Sequence, residues 1–367
     1  MRKNRMDTRL LVAIGLLIVA GFLIFLSASL GLLARDSAHF GSIAFKQIFF
    51  GLVPGLLALY AFSRIDHMHW RKVSFWLFLF AIVLNVAIFI PGLGLRHGGA
   101  VRWLIIGPFS LQVSEVLKIA AVMYFAAWLS FVKDKASDFK KGFIPLCFML
   151  FVTGVLCLLQ PDTDTYLIIA SALVAMFIAA GGKWRHIASL GAAGAIGLTL
   201  LAFSRPYVMA RIQTFFDPSG ATQAAGYQIN QSLIAIGSGG IAGRGFGQSI
   251  QKFNYLPEPV GDSIFAVAAE EFGLIGGLVL LGLYVFFALR TLKVALTAEN
   301  QFGTLLAVGI ATFIIVQSFT NIGAMAGVLP LSGVPLLFVS QGGTALLFVL
   351  AESGILLNIS RTARLRR

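Results

Sequence analysis

The chain opens MRKNRMDTR at residues 1–9 and continues LLVAIGLLIVAGFLIFLSASLGLLA at residues 10–34. A basic stretch thus precedes 25 consecutive residues that carry no charge. At about 1.5 Å of rise per residue such a run spans roughly 38 Å as a helix. The hydrocarbon core of a bilayer needs only about 30 Å. A secretory signal has an apolar core of about 7–15 residues, so Leu10–Ala34 reads as an uncleaved first membrane span.

The same pattern recurs along the chain. Further apolar runs lie near 43–62, 73–90, 113–132, 143–159, 163–181, 186–203, 263–289, 303–329 and 335–358. Hydrophobic residues make up 58% and charged residues only 12%, with a mean hydropathy of +0.89. A water-soluble domain carries about a quarter charged residues. The expected fold is therefore all-α: one polytopic membrane domain over residues 1–367, with about ten transmembrane helices and a long extracytoplasmic loop, 204–262, before the eighth.

The net charge of +13 invites a nucleic-acid reading, but the positions of the charges argue against it. With the N-terminus cytoplasmic, one side receives Arg2, Lys3, Arg5, Arg9, Arg64, Arg71, Lys72, Lys133, Lys135, Lys140, Lys141, Lys183, Arg185, Arg290, Lys293, Arg361, Arg364, Arg366 and Arg367. These are 19 of the 28 basic residues. The opposite side receives 8: Arg35, Lys46, Arg96, Arg102, Arg205, Arg211, Arg244 and Lys252. That asymmetry is the positive-inside signature; it predicts an even number of spans with both termini cytoplasmic, and no nucleic-acid partner. A cysteine placed at Ser219 is expected to be labelled from outside, and one at Ser137 is not. Cys147 and Cys157 sit on one apolar segment, about 15 Å apart as a helix, too far for a disulfide.

Charged residues inside spans are expensive and become functional candidates. Glu115 and Lys118, three apart, share a helix face and can pair, either to pin helices or to bind substrate. Glu270 and Glu271 fall about 12 Å below the outer mouth of the eighth span; small residues on the same face (Ala266, Gly273, Gly277) favour close packing around a satisfied carboxyl. Glu352 reads as reaching for water near its helix end. Asp262 closes the long outer loop where the eighth span begins. It is either an N-cap, which Asp does well, or a half-buried acid with a raised pKa suited to general-base work. The Gly-rich stretch around Arg244 offers backbone N–H groups to a phosphate. Arg102, Glu115, Lys118, Asp162, Asp164, Arg244 and Asp262 all map to the outer third. Neither His/Cys metal spacing nor a Ser-His-Asp order emerges.

Several motifs carry a resemblance over nearly the whole chain. They include NIGAMAGVLPLSGVP at 321–335 running into SQGGTA at 340–345, YQ at 227–228 followed by QSLIAIGSGG at 231–240, LPE at 256–258, Asp262, and AEEFG at 269–273. Arg102-Trp103, Gln112, Ser114-Glu115, Lys118 and Gln160-Pro161-Asp162 add to them. The chain resembles the SEDS family of FtsW, RodA and SpoVE. Three positions depart from the family pattern: Val260-Gly261-Asp262-Ser263 where the family reads His-Thr-Asp-Phe, Asp164 where it has Gly, and Gln341 where it has Tyr or a small residue.

The resemblance implies a peptidoglycan glycosyltransferase of the bacterial cytoplasmic membrane that polymerises lipid II beside a class B penicillin-binding protein and other division or elongation proteins. Asp262 matches the family's essential aspartate, which makes it the expected general base. Arg102, Glu115, Lys118, Arg244, Ser340, Gly342 and Gly343 are the expected substrate-binding residues. No cofactor is assigned, although a divalent cation is compatible with pyrophosphate chemistry. Gly247–Lys252 looks more like FtsW than RodA and so implies septal synthesis. The alternatives are a RodA-like elongation polymerase and a lipid II flippase.

Overall fold

The computed structural model describes residues 6–33, 37–97, 100–107, 109–217 and 223–363. Arg2, Lys3, Arg5, Arg35, Arg364, Arg366 and Arg367, counted above for orientation, and Ser219 lie outside them. The fold is a bundle of helices. They are α1 (Thr8–Leu33), α2 (Ser37–Lys46) joined through a π-turn (Gln47–Leu52) to α3 (Val53–Arg64), α4 (His67–Ala87), α5 (Val113–Val132), α6 (Ile144–Leu159), α7 (Thr163–Ala179), α8 (Trp184–Ser204), α9 (Pro206–Phe216), α10 (Gln223–Gly239), α11 (Ile264–Thr297), α12 (Gln301–Met325) and α13 (Gly343–Thr362). Among the described residues nine helical stretches are long and apolar enough to cross a membrane, and α7 is a shorter apolar helix. Together they match the expected ten.

The helices pack as α13 on α3, α4 on α5, α7 on α12, α1 on α11, and α11 on α12. Lipid tails are as apolar as leucine, so close packing and internal hydrogen bonds hold such a bundle. α5 is its axis: Glu115, Lys118 and most of its apolar residues are buried. α8 is the opposite case, with only His186 and Ala202 buried.

The hydropathy reading did not contain two features. The segment before α5 holds an antiparallel three-stranded meander, β1 (Gly94–His97), β2 (Ala100–Ile106) and β3 (Phe109–Gln112), with Trp103 opposite Gln112 and Leu104 opposite Leu111. Strands this short carry little periodicity, and their Gly and Arg content masked them. The last span also begins later than expected, at Gly343. Residues 331–341 instead form an irregular, largely buried segment dipping into the bundle, where Tyr284 donates to the Leu337 carbonyl. Non-helical backbone at that depth is tolerated where protein satisfies it.

The second correction concerns α11. A straight helix of its 34 residues would rise about 51 Å, far beyond the bilayer core. It breaks at Gly273, whose φ is +64°. Residues 264–272 fold back, and a Cβ on Gly277 would lie 3.9 Å from the Phe265 ring. The break frees backbone groups, and the Gly-rich loop caps them. Arg244 and Gly245 N–H donate to the Glu270 and Glu271 carbonyls, while Leu274 and Ile275 N–H donate to Gly240 and Ile241. A Cβ at Gly243 would stand 2.2 Å from the Glu271 carbonyl oxygen, so glycine is required for this approach. Glu270 and Glu271 therefore sit at the bend, where Ser27 Oγ, six residues before the end of α1, donates to Glu271 at 2.7 Å.

Candidate active site

The folded-back segment of α11 presents Asp262 to the bundle centre instead of the lipid boundary. Its main chain is fixed from three sides. Asn321 Nδ2 donates to the carbonyls of Asp262 (2.8 Å) and Val334 (2.9 Å). Ser340 Oγ donates to the Gly261 carbonyl at 2.8 Å, and Gln341 N–H to Val260 at 2.7 Å. Gln228 of α10 reaches Ser263 Oγ at 3.0 Å. The NIGAMAG and SQGG stretches thus clamp the aspartate loop.

The Asp262 side chain is partly exposed and accepts no hydrogen bond among the described residues. Ser263, not Asp262, is the N-cap of α11, and it makes no side-chain cap bond. The capping alternative is therefore not what the structure holds. Around the carboxylate stand Asp164, Arg211, Glu258 and Gly333. Arg211 Nη1 is 2.7 Å from Asp164 Oδ2, which also accepts the Gly333 N–H at 3.2 Å. A Cβ on Gly333 would lie 3.6 Å from Arg211 Nη2 and 3.9 Å from Asp262 Oδ2, so the absence of a side chain at 333 keeps this corner open. Burial raises the Asp262 pKa to about 7; Glu258 and Asp164 push the same way, against Arg211 and Arg102. A carboxyl poised near neutrality is what a general base needs.

Arg102, on β2, donates to the Gln160 and Pro161 carbonyls and stands 3.8 Å from Asp162. Asp162, 2% exposed, accepts the Thr165 N–H as the cap of α7. Burial raises its pKa and Arg102 opposes the shift. Arg102 therefore holds the turn that sets Asp164 in place, and its charge still reaches Asp262.

Of the other expected residues only Ser340 touches the aspartate loop, and the rest lie apart from this corner. Lys118 and Glu115 form the ion pair their spacing predicted, at 2.9 Å, with Lys118 also donating to Gln317 Oε1 at 2.7 Å. Gln317 in turn donates to the Pro335 carbonyl, so the pair supports the dipping segment from below. Arg244 stands 3.5 Å from Glu270 at the bend of α11. That is eight residues, about 12 Å of helix, from Asp262. Ser340 is engaged with Gly261, and Gly342 donates its N–H to Gln47 of the π-turn at 3.0 Å. Gly343 packs near Lys46 and Phe50. Glu352 lies mid-helix and 2% exposed, not reaching for water as expected.

Arg211 was counted in the sequence only as an outer basic residue. Its one signal was its place on a short amphipathic stretch between Pro206 and the loop, which nothing linked to α7. Two contacts make that link, Arg211 to Asp164 and Tyr207 Oη to Thr163 Oγ1.

A half-open corner lined by Asp262, Asp164, Glu258 and Arg211 inside a bundle of helices long and apolar enough to cross a membrane defines a polytopic membrane protein. The chain belongs to the cell cycle protein family of FtsW, RodA and SpoVE, whose family model matches residues 8–365. It is 36% identical over 366 residues to the stage V sporulation protein E of Bacillus subtilis (strain 168), covering 99% of each chain. It is likewise 36% identical over 344 residues to the probable peptidoglycan glycosyltransferase FtsW of Geobacter sp. (strain M18), covering 94% of each. Its fold matches a solved chain from work on structural coordination of polymerization and crosslinking by a peptidoglycan synthase complex. There the TM-score is 0.81 at 24% identity, over 97% of this chain and 98% of that one.

Proposed function

We propose that this protein is a peptidoglycan glycosyltransferase that polymerises lipid II at the outer face of the bacterial cytoplasmic membrane, with Asp262 as general base. The observation that carries the reading is an unpaired, partly exposed carboxylate held by main-chain clamps beside Asp164, Glu258 and Arg211. The GlcNAc 4-hydroxyl of one lipid II attacks the anomeric carbon of the MurNAc at the end of the other chain. Asp262 accepts the hydroxyl proton as the new C–O bond forms, and undecaprenyl pyrophosphate leaves with the electrons of the broken bond. Arg211 and Arg102 supply positive charge where negative charge develops. The FtsW-like Gly247–Lys252 stretch favours a septal role, and a class B penicillin-binding protein is the proposed partner. Purified protein given lipid II, with and without that partner, should yield glycan strands. A flippase is the second reading; it predicts polymerisation independent of Asp262 when lipid II is supplied directly in detergent.

The pH dependence follows from the same corner. A base works only when ionised, so activity is expected to rise with pH through about 7. Asp164→Asn removes a like charge that raises the Asp262 pKa and releases Arg211, which lowers it. Both effects favour the carboxylate, so the acid limb should move to lower pH. An unmoved limb in the variant would separate Asp164 from the titrating group.

Orientation is tested by labelling. We infer that both termini are cytoplasmic and that 204–262 face outward. In a chain with Cys147 and Cys157 replaced by serine, Gln213→Cys should react with an impermeant maleimide on whole protoplasts and Lys135→Cys should not. The reverse pattern would invert the orientation.

A further inference from the structure

On the side of the bundle away from Asp262, α5 and α6 leave a groove of about 240 Å³ between them. Its walls are Tyr124, Phe125 and Trp128 of α5 against Ile144, Phe148 and Met149 of α6. Both helices are membrane-spanning, so the groove opens to lipid and not to water. At about 30 Å³ for a water-sized group, it takes a chain segment of roughly eight carbons.

The groove has a charged rim. Lys133 and Lys135 follow α5, and Lys140 and Lys141 belong to the π-turn (Phe139–Phe143) that runs directly into Ile144. All four are exposed, and among the described residues none closes an ion pair within 4.0 Å. Two acids share the rim: Asp134 lies between Lys133 and Lys135 and closes no ion pair within 4.0 Å among the described residues, and Asp138 is engaged by the Lys140 and Lys141 backbone N–H groups at 2.8 and 3.2 Å. Lys183 lies close enough for its charge to act on the same carboxylate. Trp128 ties rim to wall, its Nε1 donating to the Lys141 carbonyl at 3.0 Å. An aromatic slot inside the bilayer beneath uncommitted lysines is complementary to a molecule with an apolar tail and an anionic head. We propose that this groove binds an anionic glycerophospholipid of the cytoplasmic leaflet, one acyl chain between α5 and α6 and the phosphate among Lys133, Lys135, Lys140 and Lys141.

Only the naming of the leaflet rests on the orientation proposed above. Binding measured in detergent is blind to orientation, so failure here and failure of the labelling experiment stay distinct. The full chain is exchanged into detergent with equimolar phosphatidylglycerol and phosphatidylcholine of identical acyl chains, and retained lipid is read by native mass spectrometry. Wild type should retain phosphatidylglycerol by tenfold or more over phosphatidylcholine. Lys140→Gln/Lys141→Gln, at about fivefold per lysine, should bring the ratio close to one. The control pair Arg71→Gln/Lys72→Gln, on the same side but off the groove, should leave it unchanged. Soluble glycerophosphoglycerol should not displace the lipid, because it lacks the tail. Equal retention of both lipids by wild type, an equal fall in the control pair, or displacement by the soluble head group would each overturn the site. So would the absence of any retained phospholipid, which would leave the groove to a partner helix.

Discussion

Asp262→Asn is expected to lower glycan-strand formation from purified lipid II by about 10²–10⁴-fold, the usual cost of losing a general base, while leaving expression and thermal stability near wild type. The structure separates the two halves of that expectation. Asn321 and Ser340 hold the main chain at 261–262, not the side chain, so the amide inherits the same position. The carboxylate caps no helix and closes no ion pair within 4.0 Å among the described residues, so no native contact is lost with its charge. Asparagine keeps the shape but cannot take the proton from the attacking hydroxyl. Near-normal polymer from the variant would end the catalytic role of Asp262. Polymer from neither protein under any partner condition would favour the flippase.

Lys118→Met is expected to be the most destabilising of the charge changes, because it strips the cation from a buried pair. Lys118 and Glu115 are 2% and 3% exposed, and removing one member leaves a charge uncompensated at a cost of about 3–5 kcal/mol. It also leaves Gln317 Oε1 without its donor, and Gln317 supports Pro335 and through it the dipping segment. The double change Glu115→Gln/Lys118→Met removes both charges and should recover most of the loss. Thermal unfolding of the detergent-purified proteins reads this directly. A double variant whose loss equals the sum of the two single losses would show that the residues act independently.

These outcomes bear on how much was legible in the chain itself. The crossing helices were, because a bilayer demands long uncharged runs, and so was the Glu115–Lys118 pair, because helix spacing fixes the neighbours. The reversal at Gly273 was not. Hydropathy records whether a residue is apolar, and residues 264–272 are as apolar folded back as they would be straight. Asp262 was found by motif, whereas its surroundings came from three dimensions. Arg211 and Asp164 are 47 residues apart in sequence, with α7 and α8 between them. The Gly-rich loop around Arg244 was misread for a related reason. Glycines that free backbone N–H groups for a phosphate look the same in sequence as glycines that free them for a broken helix.

α8 leads somewhere different. Ideal Cβ atoms at its Gly191, Gly194 and Gly197 would meet nothing within 4 Å, and its exposed face runs along nearly its whole length. Within this chain, then, such a helix encodes little beyond its own length and oiliness. Its sequence is free to drift among apolar residues over generations, while a single methyl group added along α5 would meet packed neighbours. Any restraint on the drift of α8 must come from outside the polypeptide, from the bilayer or from another molecule lying against it.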